Sequence, residues 1–311
     1  MSLSSVVRGL LTAAVCVTAA ACNGTTSDQP VAARRPVVGV TLLTQTHSFF
    51  KDLEEGLRDE AAKRNLELIV VACEMDPAKQ AAQIEDFVAQ KVAAILAAPC
   101  DSNAIVPQLE APQRAGIPVF TADISARGGT IVSHVASDNV QGGRLAAAAL
   151  AELMGNQGKV LIIDHPTVAS VQDRVKGFDE EMKNHPGVTI VARPSADGQR
   201  ARAMAVMEDA LQANRDLKGV FGINDDSALG ATAVLDAAGR TDVVVVGYDA
   251  SPEAQTAIRS GGPLKAEVVQ DPKRIGRTAI DMIAKHLGGE RVPPVVSVPV
   301  SIINAQTIGG K

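Results

Sequence analysis

From Pro36 onward the chain repeats a two-part pattern. A short unbroken apolar run is followed by a longer segment in which apolar residues return every three or four positions. "PVVGVTLL" is such a run, and "SFFKDLEEGLRDEAAKRN" follows it with Phe49, Phe50, Leu53, Leu57 and Ala61 at helical spacing. "LELIVVA" predicts a second strand. "PAKQAAQIEDFVAQK" predicts a helix that opens on Pro77 and lays Ile84, Phe87 and Val88 along one face. "VAAILAAP" and "IPVFTAD" read as strands on either side of a helix in "AIVPQLEAPQRAG". The apolar runs show no in-out alternation, as expected of strands covered on both faces. Strands alternating with helices predict right-handed crossovers and parallel sheets flanked by helices.

The pattern restarts after "TIVSHVASDNVQGGRLAAAALAELMG". "GKVLIID", "VTIVAR", "KGVFGIN", "DVVVVGYDA" and "LKAEVVQ" predict strands, with helical segments between them and "DPKRIGRTAIDMIAKHLGG" after the last. The tail "VVSVPVSIIN" is β-like and interrupted at Pro299. About ten strand–helix units are too many for one small sheet; a (β/α)8 barrel of ~250 residues and a pair of doubly wound sheets both fit that count.

Composition narrows the class. The chain has 311 residues, 46% hydrophobic and 21% charged, which suits a soluble protein with room for two cores. Its net charge of −5, with no basic stripe, argues against nucleic acid as the partner. The N-terminus is a different material. "MSLSSVVRGLLTAAVCVTAAAC" has one cation, Arg8, and no acid. Its apolar run from Leu10 to Ala21 is shorter than the ~20 residues of a membrane span. Residues 1–21 have the layout of a signal peptide. Ala19-Ala20-Ala21-Cys22 resembles a bacterial lipobox, which would make Cys22 the lipidated N-terminus and tie the protein to a membrane by acyl chains alone. Ordinary A-x-A cleavage before a free Cys22 is the rival reading. Residues 22–35, small and polar, read as a tether. Cys73 and Cys100 each end an apolar run. An oxidising compartment permits a bridge between them. Strands of a parallel sheet need not be neighbours, however, and a bridge needs Cα atoms within roughly 7 Å. Two separate, semi-buried residues are expected.

In open α/β sheets, ligands bind beyond the carboxyl ends of the strands. At those ends this chain carries His47, Phe49 and Phe50; Asp123; Asp164 and His165, with Arg174 in the following helix; Asn224, Asp225 and Asp226; Tyr248 and Asp249; and Gln270. Planar, bidentate hydrogen-bonding groups grip hydroxyls that both donate and accept, and aromatic faces cover the apolar face of a sugar ring. Each residue also has a plainer reading. Phe49 and Phe50 extend the core stripe of their helix. Asp123, Asn224 and Asp249 suit helix caps or turns, and Ser137-Asp138-Asn139 suits a cap. Arg174 with Asp173 could be a solvated pair, and Asp225 and Asp226 first-turn helix acids. The acids lack calcium-loop spacing and the histidines form no ligand pair, so neither metal nor cofactor is expected. The convergence of six strand ends on one chemistry favours a site over six coincidences.

Three blocks, "IVSHVASDNVQGGRLA" (131–146), "VFGINDDSALGA" (220–231) and "VVVVGYDASPEA" (243–254), resemble the bacterial sugar-binding proteins of the ribose-binding class, the receptors of ABC importers. The likeness runs from about Pro36 to about Gln306. It implies an α/β fold of two doubly wound parallel-sheet lobes, the type I periplasmic binding protein fold. The lobes would be 36–137 with 271–299 and 138–270 with 300–311, joined by three crossings near Ser137/Asp138, Gln270/Asp271 and Pro299/Val300. It implies a sugar or polyol held between the lobes by Phe49, Phe50, Asp123, Arg174, Asn224, Asp249 and Gln270. Tyr248 takes a place where an aromatic is common, and His47 one where an amide is common. It further implies an extracytoplasmic monomer that serves ABC permease subunits in the membrane.

Two more positions depart from the ribose type: Ile124 stands for an Arg and Gly198 for an aromatic. The site should be less polar at Ile124 and roomier at Gly198, which points to another pentose, a hexose, a deoxy sugar or a sugar alcohol. A nucleoside or signalling molecule is the alternative ligand class. A repressor's effector lobes share this architecture, but the N-terminus offers an export signal in place of a helix-turn-helix. No G-x-S-x-G, H-E-x-x-H, P-loop or G-x-G-x-x-G motif suggests an enzyme.

Overall fold

The computed structural model describes residues 35–308, so the expected signal peptide, Cys22 and all of the tether before Arg35 lie outside the described residues. The chain begins with β1 (Val37–Leu42), α1 (Ser48–Lys63), β2 (Glu67–Ala72), α2 (Pro77–Ala89) and β3 (Ala94–Ala97). A 3-10 turn (Val106–Leu109) and a short α3 (Glu110–Arg114) replace the single helix expected there, because Pro107 and Pro112 remove two amide donors. Then come β4 (Val119–Ala122), β5 (His134–Ser137), α4 (Asn139–Leu153), β6 (Gly158–Ile163), α5 (Ala169–Met182), β7 (Val188–Ala192) and α6 (Arg200–Ala213). The remainder is β8 (Leu217–Gly222), α7 (Asp225–Ala237), β9 (Val244–Asp249), α8 (Pro252–Ser260), β10 (Leu264–Val269), α9 (Pro272–Leu287), β11 (Val295–Val298) and β12 (Ser301–Asn304).

The strands form two sheets, so the architecture is the pair of wound lobes and not the barrel. The first has the order β11-β5-β4-β3-β1-β2 and is parallel throughout. The second has the order β12-β10-β9-β8-β6-β7 and is parallel except at one edge, where β12 runs antiparallel to β10. That antiparallel edge has a simple reason. β11 ends at the junction of the lobes, and after Pro299 and Val300 the chain leaves that junction into the second lobe, against the strands that end at it. Central strands are sealed on both faces: Val38, Val40, Leu42 and Ala94–Ala97 in one lobe, and Val160–Ile163 in the other, are fully buried.

Two helices follow a strand of one lobe and pack in the other. α4 leaves β5 and lies on α5; α9 leaves β10 and lies on α1. Both pairs meet backbone to backbone. A Cβ on Gly143 would overlap the Arg174 carbonyl and one on Gly177 the Val140 carbonyl, just as one on Gly56 would overlap the Lys273 carbonyl.

The thiol expectation is overturned. Cys73 and Cys100 form a disulfide with Cα atoms 6.6 Å apart. Their strands, β2 and β3, flank β1 and do not touch, but both cysteines sit beyond the strand ends. There the two loops fold toward each other over the end of β1, with both sulfurs against the Leu43 carbonyl.

Candidate ligand-binding cleft

The carboxyl ends of the two sets of strands face each other across a cavity of about 300 Å³. The first lobe supplies His47, Phe49, Phe50, Asp123 and Ile124; the second supplies Arg174, Gly198, Asn224, Asp226 and Asp249; Gln270 sits at the second crossing. His47 caps α1 by accepting the Phe49 amide on Nδ1 at 3.2 Å. That bond leaves the ring proton on Nε2, which faces the other lobe 3.8 Å from both Asp226 Oδ2 and Asp249 Oδ2. Phe49 and Phe50 meet edge to face, centroids 5.2 Å apart. Both belong to the core of the first lobe and to the cavity wall, so the plain reading and the functional one hold together.

Asp123 and Asp249 are aimed by unusual backbone. Each is a non-glycine residue at positive φ, +63° and +108°, immediately after or at the end of its strand. Backbone strain of this kind persists where the surrounding structure over-determines it, and it clusters at ligand sites. Asp123 is buried, and its Oδ1 has no hydrogen-bond partner among the described residues. Burial pushes its pKa up to about 7, against the pull of the Arg174 charge. Burial likewise raises Asp249, to about 6, with Arg174 and then the Asp225 charge acting in opposite directions. Gln270 donates to Asp249 Oδ1 at 2.6 Å and leaves its own Oε1 buried without a partner.

Arg174 is 4% exposed, not a solvated surface residue. Its Nε donates to Asn139 Oδ1 at 2.9 Å and its Nη1 to the Ile223 carbonyl at 2.7 Å. The guanidinium lies 3.9 Å over the Tyr248 ring. Tyr248, expected at the ligand, is therefore corrected to a place behind it. Side chains alternate along a strand; Asp249 points into the cavity, and its neighbour Tyr248 is fully buried on the other side, with its hydroxyl 3.3 Å from Asn139 Oδ1. Asn224 is the cap of α7, as its plain reading held, accepting the Ser227 amide at 2.9 Å, and it also lines the cavity.

Two further acids, one lining the cavity and one inside β10, were not among the residues expected at the ligand. Asp226, read as a first-turn acid, turns into the cavity and accepts from Arg200 Nε at 3.0 Å, while Arg200 forks onto Glu253. The sequence places it at the strand end beside Asn224, and only its direction was misjudged. Glu267, inside β10, carried no sequence signal. It is fully buried, accepts the Ala250 amide at 2.7 Å, and is held well above the ordinary carboxyl range by burial and by the adjoining Asp225. Its bond to the Ala250 amide holds the turn after Asp249. Gly198 sits at φ +66°, where any other residue is strained, and a Cβ there would come 3.2 Å from Asn224 Nδ2. Ile124 presents a buried apolar face beside Asp123.

A sequence profile described as "Periplasmic binding protein domain" matches residues 38–291. The chain belongs to the periplasmic binding protein family. Among curated family members it is similar to a ribose import binding protein of Bacillus subtilis, 35% identical over 270 residues that cover 85% of this chain and 86% of that one. Among solved structures it is similar to an ABC transporter solute-binding protein from Mycobacterium smegmatis with bound glycerol. That pair has 34% identity and a TM-score of 0.83, covering 88% of this chain and 95% of the other. A solute-binding protein from Agrobacterium vitis bound to alpha-D-tagatopyranose gives 29% identity and a TM-score of 0.84, covering 89% and 97%.

Proposed function

We propose that this protein is the solute-binding receptor of an ABC importer, capturing a monosaccharide or related polyol between its lobes and delivering it to a membrane permease. The observation that carries this reading is the set of unsatisfied polar atoms around the cavity. Among the described residues, Asp123 Oδ1 and Gln270 Oε1 are buried acceptors without donors, and beside them Arg174 keeps Nη2 for a further bond. Buried polar groups are seldom left unpaired. A ligand whose hydroxyls donate and accept satisfies this set, and Phe49 and Phe50 cover its C–H face. The three relatives named above bind an aldopentose, a triol and a ketohexose, all polyhydroxylated. His47, Phe49, Phe50, Asp123, Arg174, Asn224, Asp249 and Gln270 are the residues we assign to the ligand. Tyr248 and Asn139 hold the Arg174 guanidinium from behind.

Closure follows from the division of the site. Neither lobe alone makes both sets of bonds, so ligand favours the closed arrangement, and hinge motion runs through the crossings near Ser137/Asp138, Gln270/Asp271 and Pro299/Val300. The protein works outside the cytoplasm as a monomer, and lipidated Cys22 anchors it. Calorimetric titration with pentoses, hexoses and polyols tests the central claim, since the chain has no Trp to report binding by fluorescence. Micromolar or tighter binding of at least one is expected. The absence of both heat and thermal stabilisation across the panel would sink it.

A further inference from the structure

Helix α5 carries Ser170, Val171 and Arg174 to the cavity, yet its own lobe gives its N-terminus no side-chain cap, because the capping position holds Val168. The missing acceptor comes from the other lobe. Ser102, in the loop after β3, is fully buried; its Oγ accepts from the Ala169 amide at 2.9 Å, and its own amide donates to the Thr167 carbonyl at 3.0 Å. The loop is held ready by Asp101, whose Oδ1 accepts the amides of Asn103 and Ala104, both at 2.8 Å. Arg127 ties in from the same lobe. Its amide donates to the Ser102 carbonyl at 2.7 Å, and its guanidinium reaches Gln172 Oε1 at 2.8 Å and Asp173 Oδ1 at 3.4 Å on the first turns of α5.

We propose that Ser102 is a positioning residue for ligand capture: it caps α5 in trans, so the first turn of the helix that carries Arg174 is completed only when the lobes close. This rests on the reading of the cleft as a ligand site that opens and closes. A helix leaves its first amides without partners inside the helix, and a side-chain oxygen satisfies one of them. With the lobes apart the Ala169 amide faces water. With the lobes together it meets an acceptor in a dry contact, where a hydrogen bond is stronger. Closure and completion of the first turn of the Arg174-bearing helix thus become one equilibrium, and ligand bound to Arg174 biases both.

The test compares the parent protein with Ser102→Ala and Ser102→Thr, using D-ribose and xylitol as probes. Three quantities are read: affinity by calorimetry, urea stability without probe, and amide exchange at Ala169. Loss of a cap predicts that Ser102→Ala weakens whichever probe binds by about five- to tenfold, tenfold being 1.4 kcal/mol. The urea midpoint without probe should stay within error of the parent, and Ser102→Thr, which keeps the hydroxyl, should return affinity to within about twofold. Unchanged affinity in Ser102→Ala would overturn the proposal, as would an equal loss of stability without probe. If the parent binds neither probe, the same readings are taken with a pentose, hexose or polyol of the wider panel that binds it. Exchange is read with that ligand bound and the lobes closed: faster Ala169 exchange in Ser102→Ala supports the cap, and equal exchange rejects it.

Discussion

Replacing Asp123 with asparagine should strengthen the unliganded fold at alkaline pH and remove the affinity for ligand. The carboxyl is buried, has no hydrogen-bond partner on Oδ1 among the described residues, and is pushed up by burial from 3.8 to about 7. Between those two values the folded protein holds a proton that the unfolded chain has released, so stability falls as pH rises through this window. At ~1.4 kcal/mol per pKa unit, the charged carboxylate weakens the fold by about 4 kcal/mol at pH 8. Asparagine does not ionise, and it tolerates the positive φ at this position. Its own unpartnered amide costs about 1–3 kcal/mol. The net expectation for Asp123→Asn is a gain of about 1–3 kcal/mol at pH 8 that turns into a loss of about 1–3 kcal/mol near pH 4, where the parent carboxyl is neutral and only the amide cost remains. Urea unfolding without ligand at those two pH values measures it. Ligand affinity should move the other way in the parent, rising with pH as Asp123 and Asp249 become charged acceptors for hydroxyls. A variant no more stable than the parent at pH 8, or an advantage independent of pH, would refute the reasoning.

Three further outcomes are expected. Arg174→Lys loses the fork that serves Asn139 and Ile223 and should weaken ligand binding at least about a hundredfold, read by titration, while costing about 1–3 kcal/mol of stability. Gly177→Ala drives a methyl into the Val140 carbonyl and should destabilise by about 3 kcal/mol or more in urea; a loss under 1 kcal/mol would contradict the backbone-to-backbone contact of α4 and α5. Removing the disulfide with Cys73→Ser and Cys100→Ser opens a loop with a sequence separation of 27, which the chain-entropy relation values at about 3–4 kcal/mol. Its melting temperature should fall to that of the reduced parent, and no difference between parent and variant under oxidising conditions would argue against the bridge.

Much of the fold was legible because its strands are sealed on both faces and write continuous apolar runs, and much of the site because it hangs on strand ends. Period alone did not separate a barrel from two sheets, since both bury parallel strands alike. Phe49 and Phe50 were ambiguous because they serve the core and the cavity at once. Tyr248 was misplaced although the signal was present: residues adjacent in a strand face opposite ways, and Asp249 already occupied the inward direction. The disulfide was missed because strand order says little about loops beyond strand ends. Glu267 was passed over because its partner, the Ala250 amide, lies on another segment, a contact that the strand's own pattern does not record. Ser102 was silent because its partner lies in the other lobe, a contact no local spacing records.

The exchange of helices α4 and α9 between the lobes also sets an order of assembly. The first sheet contains β1 to β5, but its edge strand β11 and its covering helix α9 come from residues between Pro272 and Val298. The lobe that is made first is thus finished only after the parallel strands β6 to β10 of the second lobe have been made. Until they arrive, β5 is a bare edge and the Gly56 face of α1 has no partner. Pairings so distant in sequence form slowly. A nascent chain threaded in this way keeps its first lobe unfinished until most of the second has been made, a useful delay for a protein whose working place lies on the far side of a membrane.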